Sequence, residues 1–175
     1  MPFTAPTRRD AMSAAREKAT TPATGQTETR FWLQLLSLHG ELFAALNAAM
    51  IAELGLSLAK FDALAQLARY PDGLTLGRLT QNLKVSGGNV SGLVQRLAAD
   101  ELISREMSNE DRRSFIVRLT PKGEAVFRKA AGVHNRHLRQ RLKDVPTHEL
   151  EAALSILRSI SSKVRSEQKN QNRRT

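Results

Sequence analysis

A mainly α-helical fold with one small β-hairpin is what this sequence predicts, on three observations. Apolar residues recur at the 3–4 spacing of amphipathic helices through most of residues 28–100 and 121–160. The period drops to 2 in "LISREM" and "SFIVRL", which flank the charged "SNEDRR". Between the periodic segments stand caps and turn formers: Ser57, "YPDG" at residues 70–73, Thr75, Thr120-Pro121 and "DVPT" at residues 144–147.

The elements follow in order. Residues 1–27 are rich in Thr, Ala and Pro without a lasting apolar period, and read as a mobile tail. Its Arg8, Arg9, Arg16 and Lys18 read as solvated, with DNA contact the second reading. Residues 28–54 form a helix with two apolar stripes, Phe31, Leu35, Leu38 and Leu42 on one, Trp32, Leu36, His39, Phe43, Leu46 and Met50 on the other. Such a helix must bury more than one face, which places a partner subunit on one side and the domain's own core on the other. Gly55 ends it as a C-cap.

Ser57 caps a second helix that buries Leu58, Phe61, Leu64 and Ala68. "YPDG" stops it, and Thr75 caps a short helix through Leu83, held by Leu76, Leu79 and Leu83. Residues 84–86 allow only a tight turn before a helix over 87–100. The hairpin comes next. Thr120 and Pro121 then stand as N-cap and first helical residue of a helix to about residue 143. Thr147 caps the last helix, striped by Leu150, Leu154, Leu157 and Ile160, and residues 166–175 read as a polar tail.

Composition narrows the function. The 175 residues carry 27 Lys plus Arg against 17 Asp plus Glu, a formal net charge of +10. That favours a polyanionic partner, nucleic acid first and an anionic membrane surface second. The absence of Cys excludes disulfides, thiolate nucleophiles, Cys-ligated zinc and cysteine redox sensing. The most apolar stretch, residues 42–59, is interrupted by Asn47 and Glu53 and reads as a helix of a soluble protein, with the cytoplasm as the default location.

Residues 85–97, "VSGGNVSGLVQRL", pose a puzzle: an amphipathic helix with Gly87, Gly88 and Gly92 in it. Each interior Gly costs about 1 kcal/mol relative to Ala. The apolar back is Val90, Leu93, Val94 and Leu97; the front is small and polar. A DNA major groove, about 12 Å wide, admits one helix, and small residues let the backbone approach its wall. Short helix, tight turn, second helix and hairpin make a winged helix-turn-helix, here spanning residues 57–120 with helical dimerisation regions at 28–55 and 121–165. The candidate DNA-binding residues are Thr75, Arg78, Lys84, Ser86, Asn89, Ser91, Gln95 and Arg96, with Arg112 and Arg113 at the wing tip. Asn89 and Gln95 suit adenine edges, Arg96 suits guanine or phosphate, and a wing arginine suits a narrow minor groove.

Residues 71–123 resemble the MarR family of bacterial transcription regulators, through "PDGLTLGRL", "VSGGNVSGLVQRL", "LISR" and "DRRSFIVRLTPKG" in the right order and spacing. The resemblance extends to roughly residues 28–164 and implies a triangular homodimer on a pseudo-palindromic operator near the regulator's own promoter. Two positions depart from the family's habit: Gln95 where Asp is common, and Glu101 where Gly is common. The resemblance also implies release from DNA when a small aromatic or anionic ligand binds between the dimer helices and the DNA-binding lobe. Trp32, Leu36, His39, Phe43 and Phe61 are the candidate effector residues, though aromatic residues at helical spacing are usually core. The "PDG" and "VSGGNVSGLVQRL" form is similar to a branch associated with aromatic-acid catabolism, some members of which respond to aryl-CoA thioesters.

Two rival functions compete with this one. An enzyme would need a nucleophile–base constellation, a phosphate loop or a metal motif, and the sequence displays none. A sequence-indifferent architectural nucleic-acid binder would show a specificity ratio near one. His134 and His137 have ligand-like spacing but basic neighbours, so they read as a surface pair, with no metal and no cofactor expected.

Overall fold

The computed structural model describes residues 25–83, 87–107 and 115–172. They form helices α1 (Gln26–Leu54), α2 (Leu58–Ala68), α3 (Leu76–Leu83), α4 (Gly87–Ala99), α5 (Pro121–Arg141) and α6 (Thr147–Gln171). Strands β1 (Leu74–Thr75), β2 (Ile103–Met107) and β3 (Phe115–Leu119) make one antiparallel sheet in the order β1-β3-β2. The chain divides into two compact units, Met1–Phe43 and Ala44–Thr175.

In the first unit the described residues are the N-terminal part of α1. Phe31, Trp32, Leu36, Leu38 and Phe43 are all exposed there, and the His39 and Phe43 rings lie 5.8 Å apart. By length and composition α1 would reach across a bilayer. Its polar residues in the second unit nevertheless have specific bonds. Asn47 Oδ1 accepts from the Leu58 N–H at 2.9 Å, and Glu53 accepts from Arg136 and meets His137 Nε2 at 2.5 Å. Leu46 and Met50 of the same helix are buried in the core.

The second unit's core joins those two residues to Phe61, Leu64 and Leu67 of α2, Leu79 of α3, the back of α4, and Val117 of β3. Local chemistry sets the boundaries. Gly55 takes φ +62° and its N–H reaches the Ile51 carbonyl at 2.9 Å, closing α1 as expected of a C-cap. Ser57 Oγ accepts from the Lys60 N–H, and Thr75 Oγ1 from the Arg78 N–H, both at 3.3 Å. In α2 the innermost residue of the last turn is Leu67, whereas Ala68 is half-buried.

Three expectations are corrected. The sheet has a third strand, because Leu74 and Thr75 pair with Val117 and Ile116. A two-residue strand has no period to detect. Thr147 is the first residue of α6 rather than its cap; Pro146 occupies the N-cap and its carbonyl accepts from the Glu149 and Leu150 N–H groups. The tail expected from residue 166 is helical as far as Gln171, because "RSEQKNQ" has no Gly or Pro to stop it. No residue of α6 is buried.

The exit from α4 is a Schellman turn. The Leu102 N–H bonds the Leu97 carbonyl and the Glu101 N–H bonds the Ala98 carbonyl, both at 2.9 Å. Glu101 therefore sits at φ +60°, a left-handed conformation that suits Gly. This is the physical reason the departure from Gly matters. Glu101→Gly should relieve that strain and remove only an exposed ion pair to Lys122 at 2.9 Å, which contributes little. We expect a melting temperature raised by roughly 2–4 °C, net of the extra freedom Gly gains in the unfolded chain. A lowered melting temperature would show that the Lys122 ion pair outweighs the backbone strain.

The start of α5 is anchored to the same turn. Thr120 Oγ1 accepts from the Gly123 N–H at 2.9 Å and donates to the Glu101 carbonyl at 2.8 Å. The Thr120 N–H bonds the Leu102 carbonyl at 3.1 Å, and Pro121 begins the helix. Gly123 packs against that carbonyl so closely that a Cβ there would lie 1.9 Å from the Leu102 oxygen.

Candidate nucleic-acid interface

The candidate interface centres on α4, whose two sides differ in every turn. Val90, Leu93, Val94 and Leu97 are buried, while Asn89, Ser91, Gln95 and Arg96 are exposed. Gly92 lies on the exposed side. Among the described residues, a Cβ built there would meet only Arg96 Nη1 of the same helix, at 3.4 Å. Among the described residues no neighbouring helix packs against this glycine, and it leaves room beneath the Arg96 guanidinium. The Lys60 ammonium holds the far end of α4 through Asp100 at 2.5 Å.

The other candidates divide. Thr75 is half-buried, at the junction of β1 and α3, with its hydroxyl engaged in the cap. Arg78 projects from the exposed side of α3. Lys84, Ser86, Arg112 and Arg113 lie outside the described residues. The strands leading to the wing tip are in register, with Arg105 opposite Val117 and Met107 opposite Phe115. On their other face Arg118 donates to the Asp72 carbonyl at 3.0 Å and to Glu106 at 2.5 Å, bracing the hairpin against the "YPDG" turn.

A cavity of about 590 Å³ opens between α2, the end of α3 and α5. Its floor is aromatic: the Phe61 ring stacks with His134 at 4.8 Å and with Phe127 at 5.9 Å. Asp62, Gln66, Arg69, Asn82 and Asn135 supply polar walls. Partial desolvation raises the Asp62 carboxyl pKa, and nearby His134 works against that rise. Of the five expected effector residues, Phe61 lines this cavity; Trp32, Leu36, His39 and Phe43 belong to the other unit.

The polar lining was missed at the sequence level. Its signal is a second stripe on α2, Asp62, Gln66 and Arg69, beside the apolar one, and Phe127, Ala131 and His134 at the same spacing on α5. The histidines are also not a simple surface pair. Both are half-buried, His134 against Phe61 and His137 against Glu53, whose carboxyl His137 and Arg136 hold below its usual range.

Comparison with known proteins matches the architecture. Residues 54–114 fit the family model described as MarR family. A MarR family transcriptional regulator from Silicibacter pomeroyi is 44% identical, with a TM-score of 0.73, covering 82% of this chain and 99% of that one. The AbsC regulator of Streptomyces coelicolor shares the fold at 24% identity and a TM-score of 0.70, covering 83% and 99% of the two chains. So does Bordetella bronchiseptica BpsR, at 22% identity and 0.68, covering 75% and 98%; its structure is described as the mechanism by which 6-hydroxynicotinic acid regulates its DNA binding. Comparison with curated proteins gave no match. With 44% identity over nearly all of the Silicibacter protein, the chain belongs to the MarR family of DNA-binding transcriptional regulators.

Proposed function

We propose that this regulator is a homodimeric repressor that reads a pseudo-palindromic operator through α4 and leaves it when a small aromatic or aryl-CoA-type effector binds. The observation that carries the DNA reading is the sidedness of α4, with Asn89, Gln95 and Arg96 outward over a fully apolar back. Amide side chains that reach adenine edges discriminate among bases, which an architectural binder does not need. Lys84, Ser86, Arg112 and Arg113 complete the proposed DNA-binding set, with Arg78 of α3 beside the phosphates.

For the effector, the support is the cavity. It has the volume and mixed lining of a small-molecule site, an aromatic floor for a ring and the Arg69 guanidinium for an acidic group. Its walls lead to both ends of the same brace: α2 carries Lys60, bonded to Asp100, and α5 begins at Thr120 and Lys122, bonded to Glu101. A ligand that fits better when α2 and α5 stand further apart shifts the orientation of α4, whereas equal affinity for both forms shifts nothing. Trp32, Leu36, His39 and Phe43 of α1 stay in the proposed effector set on the family resemblance alone. BpsR, whose DNA binding 6-hydroxynicotinic acid regulates, is a precedent within the fold.

Gln95→Ala and Asn89→Ala should relax base preference at a few operator positions, by about 1–3 kcal/mol for each bidentate pair of hydrogen bonds to a base that is removed. Competition with single-base variants of a duplex selected by the parent protein measures this. Parent-like discrimination by both variants removes the assignment of the reading face. Titrating the protein–DNA complex with aromatic acids and their CoA thioesters tests the effector. Release is expected, at a higher ligand concentration for Arg69→Ala, and no release by any of them removes the effector reading while leaving the regulator.

A further inference from the structure

The sheet carries two arginines in contrasting states. Arg118 is committed to Glu106 and to the Asp72 carbonyl. Arg105, on the opposite face, has no acidic partner among the described residues and is exposed. Its guanidinium lies over the Phe115 ring, 4.7 Å from the centroid. The register explains the pairing: Arg105 is opposite Val117, so Phe115 is its diagonal neighbour on the same face. That face is core at its root, where Ile103 and Val117 are buried, and emerges at Met107 and Phe115, which are exposed. An exposed aromatic there buries little of its own, yet it fixes the plane of a cation whose N–H donors meet no acceptor among the described residues.

We infer that the Arg105–Phe115 stack is a phosphate contact for the DNA beside the recognition helix, with Arg105 the contacting group and Phe115 its positioning residue. A guanidinium presents paired donors that match phosphate oxygens, and stacking on a ring leaves those in-plane donors free. Holding the side chain in one orientation beforehand lowers the entropy cost of binding. The β2 and β3 strands carry the stack to the wing, the part of a winged helix that meets the duplex next to the groove-bound helix. The inference rests on the DNA-binding reading.

The test measures affinity against salt, from about 50 to 200 mM, on a duplex selected by the parent from a random pool and on random duplex of equal length. Arg105→Gln should weaken binding to both duplexes alike, by roughly tenfold at low salt, and reduce the slope of log K against log salt by about 0.9 per bound protomer. Phe115→Leu, which keeps every charge, should weaken both in the same direction, and Phe115→Tyr should restore parent values. Arg118→Gln should lower the melting temperature and leave the slope as in the parent. A parent-like slope for Arg105→Gln overturns the proposal, as does weakening confined to the selected duplex, which would mean a base contact. If Arg105→Gln does not fold, parent-like binding by Phe115→Leu overturns it instead. The parent's preference for selected over random duplex reports the regulator reading separately.

Discussion

Leu154→Glu combined with Leu157→Glu is expected to abolish both self-association and operator binding. The two residues are 46% and 39% exposed, on a helix of 25 residues with none buried. Leu150 and Ile156 are exposed on the same helix, as are Phe31, Trp32 and Leu38 on α1. Apolar surface on this scale marks an interaction site, and long helices in water draw most of their stability from packing of such a face. In the proposed homodimer a second copy of the chain would supply the same stripes by symmetry. Two carboxylates in that seam would be desolvated without partners, which costs far more than the leucine packing they replace. In that arrangement binding should fall with the dimer, because two linked α4 helices, about 34 Å apart on successive turns, would gain roughly 10²–10⁴ in avidity over one. Sedimentation and anisotropy on the same samples measure both. A parent that sediments as a stable monomer at micromolar concentration sinks the symmetric arrangement, and a double variant that still dimerises moves the interface elsewhere.

What can be read from residues alone is whatever local chemistry decides. Ser57, Thr75 and Thr120 cap the helices that their positions predict, since an N-cap is a bond between a side chain and a backbone N–H three residues on. The back of α4 is legible because its 3–4 spacing is long and unbroken. Features that depend on distant partners are not. β1 exists because Leu74 meets Val117, and no property of "LT" announces that. Asn47 and Glu53 look like interruptions of an apolar helix, yet one bonds the Leu58 N–H and the other the α5 pair Arg136 and His137. The aromatic floor of the cavity is half visible: Phe61 stands out in the sequence, but its stacking partners lie more than sixty residues away. The departure from Gly at position 101 is plain in the sequence, and only the φ of +60° supplies its reason.

Gly123→Ala is expected to be the most damaging single substitution by the removal of space. The final residue of "LTPKG" is ordinary in its backbone, with no positive φ, so a helix-propensity argument would favour Ala by about 1 kcal/mol. Geometry reverses the sign. The added methyl would sit 1.9 Å from the Leu102 oxygen and 2.9 Å from its carbonyl carbon, and both are backbone atoms that cannot rotate away. That carbonyl is also fixed by the Thr120 N–H, so retreat of α5 breaks a bond at 3.1 Å and pulls Thr120 from the Glu101 carbonyl. Overpacking of this kind costs about 3 kcal/mol, several times the propensity gained. For a chain of this length the melting temperature should fall by roughly 6–12 °C at fixed protomer concentration. DNA affinity should fall as well, because the atoms displaced are those that end α4. Calorimetry and operator binding together decide it: unchanged stability would mean the α5 start can shift freely, and reduced stability with parent-like affinity would mean that the α4 exit does not set how the recognition helix is presented.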